Sequence, residues 1–285
     1  MMWSIEIPNV DDCLNEIDIA LTYVDGSKKY VLDAIEKESI SKIYTLYDSL
    51  KGRPHIGLAG GDISDETKKA FLEGYKEIQQ NGRLAYLRSK LLLSASRCPN
   101  CGIGPANQLD HYLPKNKYNL LSIYSHNLIP SCDICNKKKS THVALNSQEG
   151  YVHNYYDIFP TDVRFFIANT YINDDSLKVV FDIVKIADFD DDYYKILKFQ
   201  IDKLDLNNRL SKEINLFLCS FSIAIEDVYN SGGKNYVAYF LERNCESFAK
   251  KLGLNDWRTA LLYSLSKNND FCDGGFIEIL NTDGL

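Results

Sequence analysis

With 285 residues, 45% hydrophobic and 25% charged, the chain can bury a full core, and it carries no internal repeat or low-complexity linker. Its net charge of −7 would by itself argue against a nucleic-acid partner. The longest apolar candidate for a membrane span, Ile214 to Ile225, is interrupted by Asn215, Cys219, Ser220 and Ser222, and the opening Met1 to Glu6 has no basic, apolar leader. The expectation is a cytoplasmic protein with no membrane contact.

In chain order, residues 11 to 50 show helical spacing of apolar positions at Ile17, Ala20, Leu21 and Val24, then Val31, Leu32, Ile35 and Ile40. Gly57-Leu58-Ala59-Gly60-Gly61-Asp62 lacks the lysine and hydroxyl residue of a phosphate loop and reads as a turn. Ser64 caps a helix running to about Gln80, and Gly82 separates it from an apolar helix that ends near Leu93. Residues 1–92 are therefore expected to form a helical region that buttresses the cysteine-bearing segment beyond it.

That segment opens on the first of two close cysteine pairs, Cys98-Pro-Asn-Cys101 and Cys132-Asp-Ile-Cys135. A Cys-x-x-Cys turn sets two thiolates on one edge of a tetrahedron, and a second pair about thirty residues later closes it, which is the donor set of structural zinc. Disulfides are the competing reading, but without a secretory leader the pattern favours zinc. The other four cysteines, Cys13, Cys219, Cys245 and Cys272, show no pattern and read as ordinary buried or half-buried thiols. Ser131, after Pro130, is placed to cap a short helix beginning near Cys132, with Asp133 in its first turn.

Between the pairs lies Leu109-Asp110-His111-Tyr112-Leu113-Pro114, the end of a strand that Pro114 terminates. Neighbouring strand residues point to opposite faces, so Asp110 and His111 need a bulge or turn in order to cooperate. The chain returns through His126-Asn127-Leu128-Ile129-Pro130 as the second strand of a hairpin. His126 sits beside Asn127 facing away, and His142 is about 240° round a helix from Asn136. Both read as bystanders, as do His55 and His153.

Over residues 98 to 141 this pattern resembles the HNH endonuclease superfamily: both cysteine pairs, Asp110-His111, Asn127-Leu128 and the run Cys135-Asn136-Lys137-Lys138-Lys139 occur in order. The resemblance implies an α+β fold, a mainly helical chain with a central ββα-metal module over residues 93–145 stapled by zinc. It implies that Asp110 and Asn136 hold a catalytic Mg2+ or Mn2+, that His111 is the general base, and that the Asn127 amide ties the loop so that the imidazole stays aimed. Many members carry histidine where this chain has Asn136; asparagine is a variant of the same site.

The charge is unevenly spread. From Arg83 to Lys139 there are nine basic residues and two acids, so this segment is +7 and the remainder −14. Lys115, Lys117, Lys137, Lys138 and Lys139 are the candidates for phosphate contact; the competing reading of the lysine run is a solvated helix end. Residues 146–285 complete the chain. Val163 to Ile186 reads as a hairpin turning at Asn173-Asp174-Asp175-Ser176, and helices follow Asp188-Phe189-Asp190-Asp191-Asp192 to about residue 267. Those aspartates read as a solvated face or, alternatively, a second metal site. Leu204-Asp205-Leu206-Asn207-Asn208-Arg209-Leu210 resembles a run that trails such modules in bacterial defence nucleases, or is a loop capping the next helix.

The expected function is a metal-dependent endonuclease acting on DNA, in anti-phage defence of the Septu type, beside an ATPase or other regulatory subunit. Two alternatives stay open: a ribonuclease acting on tRNA or other RNA, and a non-catalytic zinc ribbon that binds nucleic acid or protein.

Overall fold

The computed structural model describes residues 3–9, 13–144, 146, 148–173 and 176–280. It is a mainly helical α+β chain with two small antiparallel sheets, each of two strands, and it divides into one unit from Trp3 to Ile158 and another from Phe159 onward. The described residues from Trp3 through the cysteine-bearing segment thus fall in a single unit, which runs on to Ile158. The reason is a set of bonds from residues 151–157 back into that unit. Arg53 pairs bidentately with Asp157, the Tyr155 hydroxyl donates to the Leu128 carbonyl, and the imidazole of His153 meets the Tyr47 hydroxyl.

The first unit opens with α1 (Cys13–Ala20) and α2 (Ala34–Ser49). The helical spacing read across residues 11–50 is interrupted where Asp25 accepts from the amide of Ser27 in a turn whose Gly26 has φ +86°. Helix α2 restarts at a capping box: Asp33 accepts from the Glu36 amide and Glu36 from the Asp33 amide. Ile40, Ile43, Tyr44 and Tyr47 then make its buried stripe. Ser64 caps α3 (Asp65–Gly74) as expected, but a 3₁₀ turn over Tyr75–Ile78 replaces the last turns before Gln80. Gly74 is needed at that junction, since a Cβ there would lie 2.8 Å from the Ile123 side chain. Helix α4 (Ala85–Leu93) then delivers the chain toward Cys98.

Strand β1 (Gln108–His111) pairs with β2 (Leu128–Ser131), with Asp110 opposite Ile129 and His111 opposite Leu128. Helix α5 (Asp133–Lys139) follows directly. Its N-cap is Cys132, whose Sγ accepts from the Cys135 amide, and not Ser131, which ends β2.

The second unit holds β3 (Phe166–Asn173) and β4 (Ser176–Ile183), then α6 (Asp191–Lys203), α7 (Leu206–Cys219), α8 (Ser222–Leu252), α9 (Trp257–Ser266) and α10 (Phe276–Leu280). The hairpin forms as expected; Asp174 and Asp175 of its turn lie outside the described residues. Phe166 stacks on Phe181 across the strands at 5.3 Å, and Asn255 accepts from the amides of both Phe165 and Phe166. The acidic run has a local use, because Asp190 caps α6 by accepting from the Tyr193 amide and Asp191 pairs with Lys185. Leu204 ends α6, and Asp205 leads into α7 at Leu206. Asn207 clamps β4 by accepting from the Phe181 amide and donating to its carbonyl, while Leu204, Leu206 and Leu210 are buried. Gly233, at φ +65°, interrupts α8. Among the described residues no helix is long and apolar enough to cross a membrane.

Candidate metal centre

The two cysteine pairs meet as the spacing requires. Cys98, Cys101, Cys132 and Cys135 are all buried, and their sulfurs lie within 4.8 Å of one another. Cys101 and Cys132 are 3.7 Å apart, close to the edge of a tetrahedron whose metal–sulfur bonds are about 2.3 Å. The turn that brings the first pair round is closed by the Cys98 amide, which donates to Gly104, and by the Gly102 amide, which donates to Cys98 with Gly102 at φ +65°. Hydrogen bonds from Cys101, Cys135 and Cys98 pull the Cys132 thiol below its ordinary range. Four soft donors on a tetrahedron, one already disposed to be thiolate, fit structural Zn2+. The scattered cysteines take ordinary roles: Cys245 and Cys272 are buried and donate to the carbonyls of Thr259 and Leu265.

The β1–β2 ladder is one-to-one through Gln108–His111, so the bulge expected at Asp110-His111 does not occur within it. The two side chains accordingly take different surroundings. Asp110 is 5% exposed and meets Lys139 of α5, whose Nζ lies 3.2 Å from Oδ1 and 3.1 Å from Oδ2. The same Nζ donates to the His111 carbonyl at 2.7 Å. Burial raises the Asp110 carboxyl, and the ammonium of Lys139 pulls it back. His111 lies against the loop instead: Nε2 is 3.0 Å from the Ser122 carbonyl, and Tyr75 packs at 4.4 Å between ring centroids. A carbonyl can only accept, so Nε2 carries the hydrogen and Nδ1 is the basic atom. Burial brings the imidazole down to about 3, so it is neutral at physiological pH.

Asn127 is wholly buried at the end of the loop before β2. Its Oδ1 accepts from the Leu113 amide and the Tyr47 hydroxyl, and its Nδ2 donates to the carbonyls of Leu113 and Leu121. Both ends of the loop next to His111 are tied by this one amide, the arrangement expected of it. Asn136 donates through Nδ2 to Oε1 of Gln108, which lies two residues before Asp110 and so on the same face of β1.

Of the five lysines expected to meet phosphate, Lys117, Lys137 and Lys138 are exposed. Lys137 pairs with Asp133 at 2.8 Å. Lys115 is half-buried with Nζ 4.3 Å from the centre of the Tyr75 ring, and burial lowers its ammonium. Lys139 departs from the expectation: it is 5% exposed and committed to Asp110 and the His111 carbonyl. Helical phase could have found it, since Cys132, Cys135, Asn136 and Lys139 stand at i, i+3, i+4 and i+7 on one face of α5. Arg83, Arg88 and Arg97, also counted in the basic island, donate to backbone carbonyls at Thr22, Asn107 and Ile103.

The remaining histidines have structural partners. His126 Nδ1 meets Asp48 at 3.0 Å while its Nε2 meets the Pro8 carbonyl; His142 meets the Glu149 carbonyl; and His55 accepts from the Gly57 amide. Asp48 also accepts from the hydroxyls of Tyr124 and Tyr156.

Protein ea31 of Escherichia phage lambda is 36% identical to this chain over 121 residues, which are 42% of this chain and 40% of that protein. The alignment therefore spans less than half of either length. No family model matches the chain. No solved structure matches it.

Proposed function

We propose that the chain is an HNH-type endonuclease that hydrolyses phosphodiester bonds with Mg2+ or Mn2+, with DNA as the default substrate. The observation that carries this reading is the His111 imidazole. Its Nε2–H is spent on the Ser122 carbonyl and it is neutral, so Nδ1 is the lone pair that takes a proton from attacking water. The Asn127 amide holds the loop that carries that carbonyl, since Leu121, one residue before Ser122, is among its partners. Asp110 and Asn136 would hold the divalent ion, whose chemistry is to neutralise charge on the phosphate and the leaving oxygen. A carboxylate and an amide oxygen fit a hard cation that keeps several waters. Lys117 and Lys138 supply exposed positive charge on the same unit for phosphate contact.

The resemblance of the motif, together with the harm an unguarded nuclease does to its own cell, supports the proposed setting of anti-phage defence beside a regulatory ATPase. Co-purification of an ATPase would support that setting, and full activity of the isolated protein on host DNA would remove it. The activity itself is tested by incubating supercoiled plasmid, linear duplex and total tRNA with the wild-type protein and with His111→Ala, each with Mg2+ and with Mn2+. Metal-dependent cleavage that disappears in the variant is the expected result, and the cleaved substrate decides between DNA and RNA. Cleavage that survives in His111→Ala refutes the assignment of the base.

A further inference from the structure

The proposed nuclease site gives Asp110 to a divalent ion, yet the carboxylate already has a cation. Lys139 Nζ lies 3.2 and 3.1 Å from its two oxygens and 2.7 Å from the His111 carbonyl, so the three acceptors match the three hydrogens of the ammonium. Both side chains are buried, at 5% and 6% side-chain exposure, which makes this a desolvated pair and not a surface ion pair. Asn136 and Lys139 stand one turn apart on α5, so the residue expected to help hold the ion and the residue that occupies its carboxylate approach β1 together. A hollow of about 20 Å³, room for one water, opens beside Lys139 between Pro54, Leu113, His142 and Tyr151.

We infer that Lys139 is an internal counter-ion that keeps the divalent ion out of the Asp110 site until a phosphate arrives, so that metal loading depends on substrate. This rests on the assignment of the metal to Asp110. Together Asp110 and Lys139 carry no net charge, so a dication approaching them meets the repulsion of the ammonium as well as the attraction of the carboxylate. An incoming phosphodiester supplies a negative charge. The ammonium can then leave the carboxylate for the phosphate, and the carboxylate passes to the ion. Lys139 is thus a positioning residue, neither a base nor a nucleophile. The exposed lysines 137 and 138 cannot substitute for it, since they lie on the other faces of α5.

The test uses the full chain with zinc in its cysteine site and His111→Ala in every sample to prevent cleavage. Mn2+ binding is followed by electron paramagnetic resonance with and without a DNA duplex. With Lys139 present, duplex is expected to tighten Mn2+ at least tenfold. Lys139→Met, which keeps the volume and removes the charge, is expected to tighten Mn2+ about tenfold in the absence of duplex and to shrink the gain that duplex gives. Lys139→Gln serves as the second variant should the methionine protein fail to fold, with zinc content and thermal melting as the check. Mn2+ that binds through Asp110, as shown by loss in Asp110→Asn, but with equal affinity whether or not Lys139 is present, overturns the inference and leaves the metal assignment standing. Mn2+ binding indifferent to Asp110→Asn in every sample overturns both.

Discussion

The β1–β2–α5 frame is held at two ends by different physics. At one end four sulfurs crowd within 4.8 Å, with the Ser131 hydroxyl and the Cys135 amide among the groups that meet them. Such a cluster fits a structural ion, whose binding energy would contribute to folding. At the other end the loop between the strands is tied by Asn127, Tyr47 and His153, whose polar atoms satisfy each other and the backbone. That end draws its order from hydrogen bonds whose loss leaves buried groups unpaired. One end should respond to chelators and thiol chemistry, the other to protons and to single amide replacements.

The sharpest way to break this comparison is Cys98→Ser. Structural zinc sites contribute about 10–16 kcal/mol of apparent binding energy, so the variant should lose its zinc and its cooperative melting transition, read by metal analysis and calorimetry. A soluble, zinc-free protein that melts as the wild type does would remove the distinction between the two ends. Next in size is Asn127→Leu, which strips two donors and an acceptor from a wholly buried position. With about 1–3 kcal/mol lost for each buried group left unpaired, stability read from the denaturation midpoint should fall by several kcal/mol in all while zinc stays bound. Loss of zinc in this variant would show that the ends are not independent.

Protons sharpen the comparison. His153 is wholly buried, its Nδ1 accepts from the Tyr155 amide, and burial followed by the charge of Arg53 holds its pKa well below 6.5. Folded, it stays neutral, while the unfolded chain binds a proton below about pH 6.5. The unfolded state then carries more protons, so the contribution is fully present above about pH 6.5 and is lost as pH falls toward the folded value. Denaturant midpoints at pH 7.5 and 5.5 should show a smaller drop in His153→Gln than in the wild type. An equal drop in the two proteins would assign the pH response elsewhere. The smallest effect is a control in the other unit. Asn207→Ala removes the two bonds to Phe181 and should cost about 1–2 kcal/mol in the second unit, with zinc content unchanged.

What the sequence disclosed followed the range of the forces involved. The cysteine spacing, the hairpin and the cap at Ser64 are local patterns, and all stand in the structure at the residues that signal them. Lys139 differs from its expected role because three consecutive lysines look alike until the phase of α5 is fixed, and in the sequence only Cys132, Cys135 and Asn136 on the same face fix it. Of the bulge or turn expected at Asp110-His111, no bulge occurs: the ladder is regular through His111, and the Tyr112 amide still bonds the Asn127 carbonyl. The network of Tyr47, Asp48, His126 and His153 joins residues 78 and 106 positions apart, and no local pattern signals such a meeting. Nor could spacing show that residues 151–157 belong with the first unit.

That last attachment bears on whether the motif is portable. A fragment cut at residue 145 would keep every cysteine of the metal centre and every residue proposed for catalysis. It would discard His153, which meets Tyr47; Tyr155, which bonds Leu128 of β2; and Asp157, which bonds both Arg53 and the His153 amide. The stretch that looks like a self-contained cassette is therefore an inlay. A transplant into another scaffold would have to carry the surrounding residues from Trp3 to Ile158 with it.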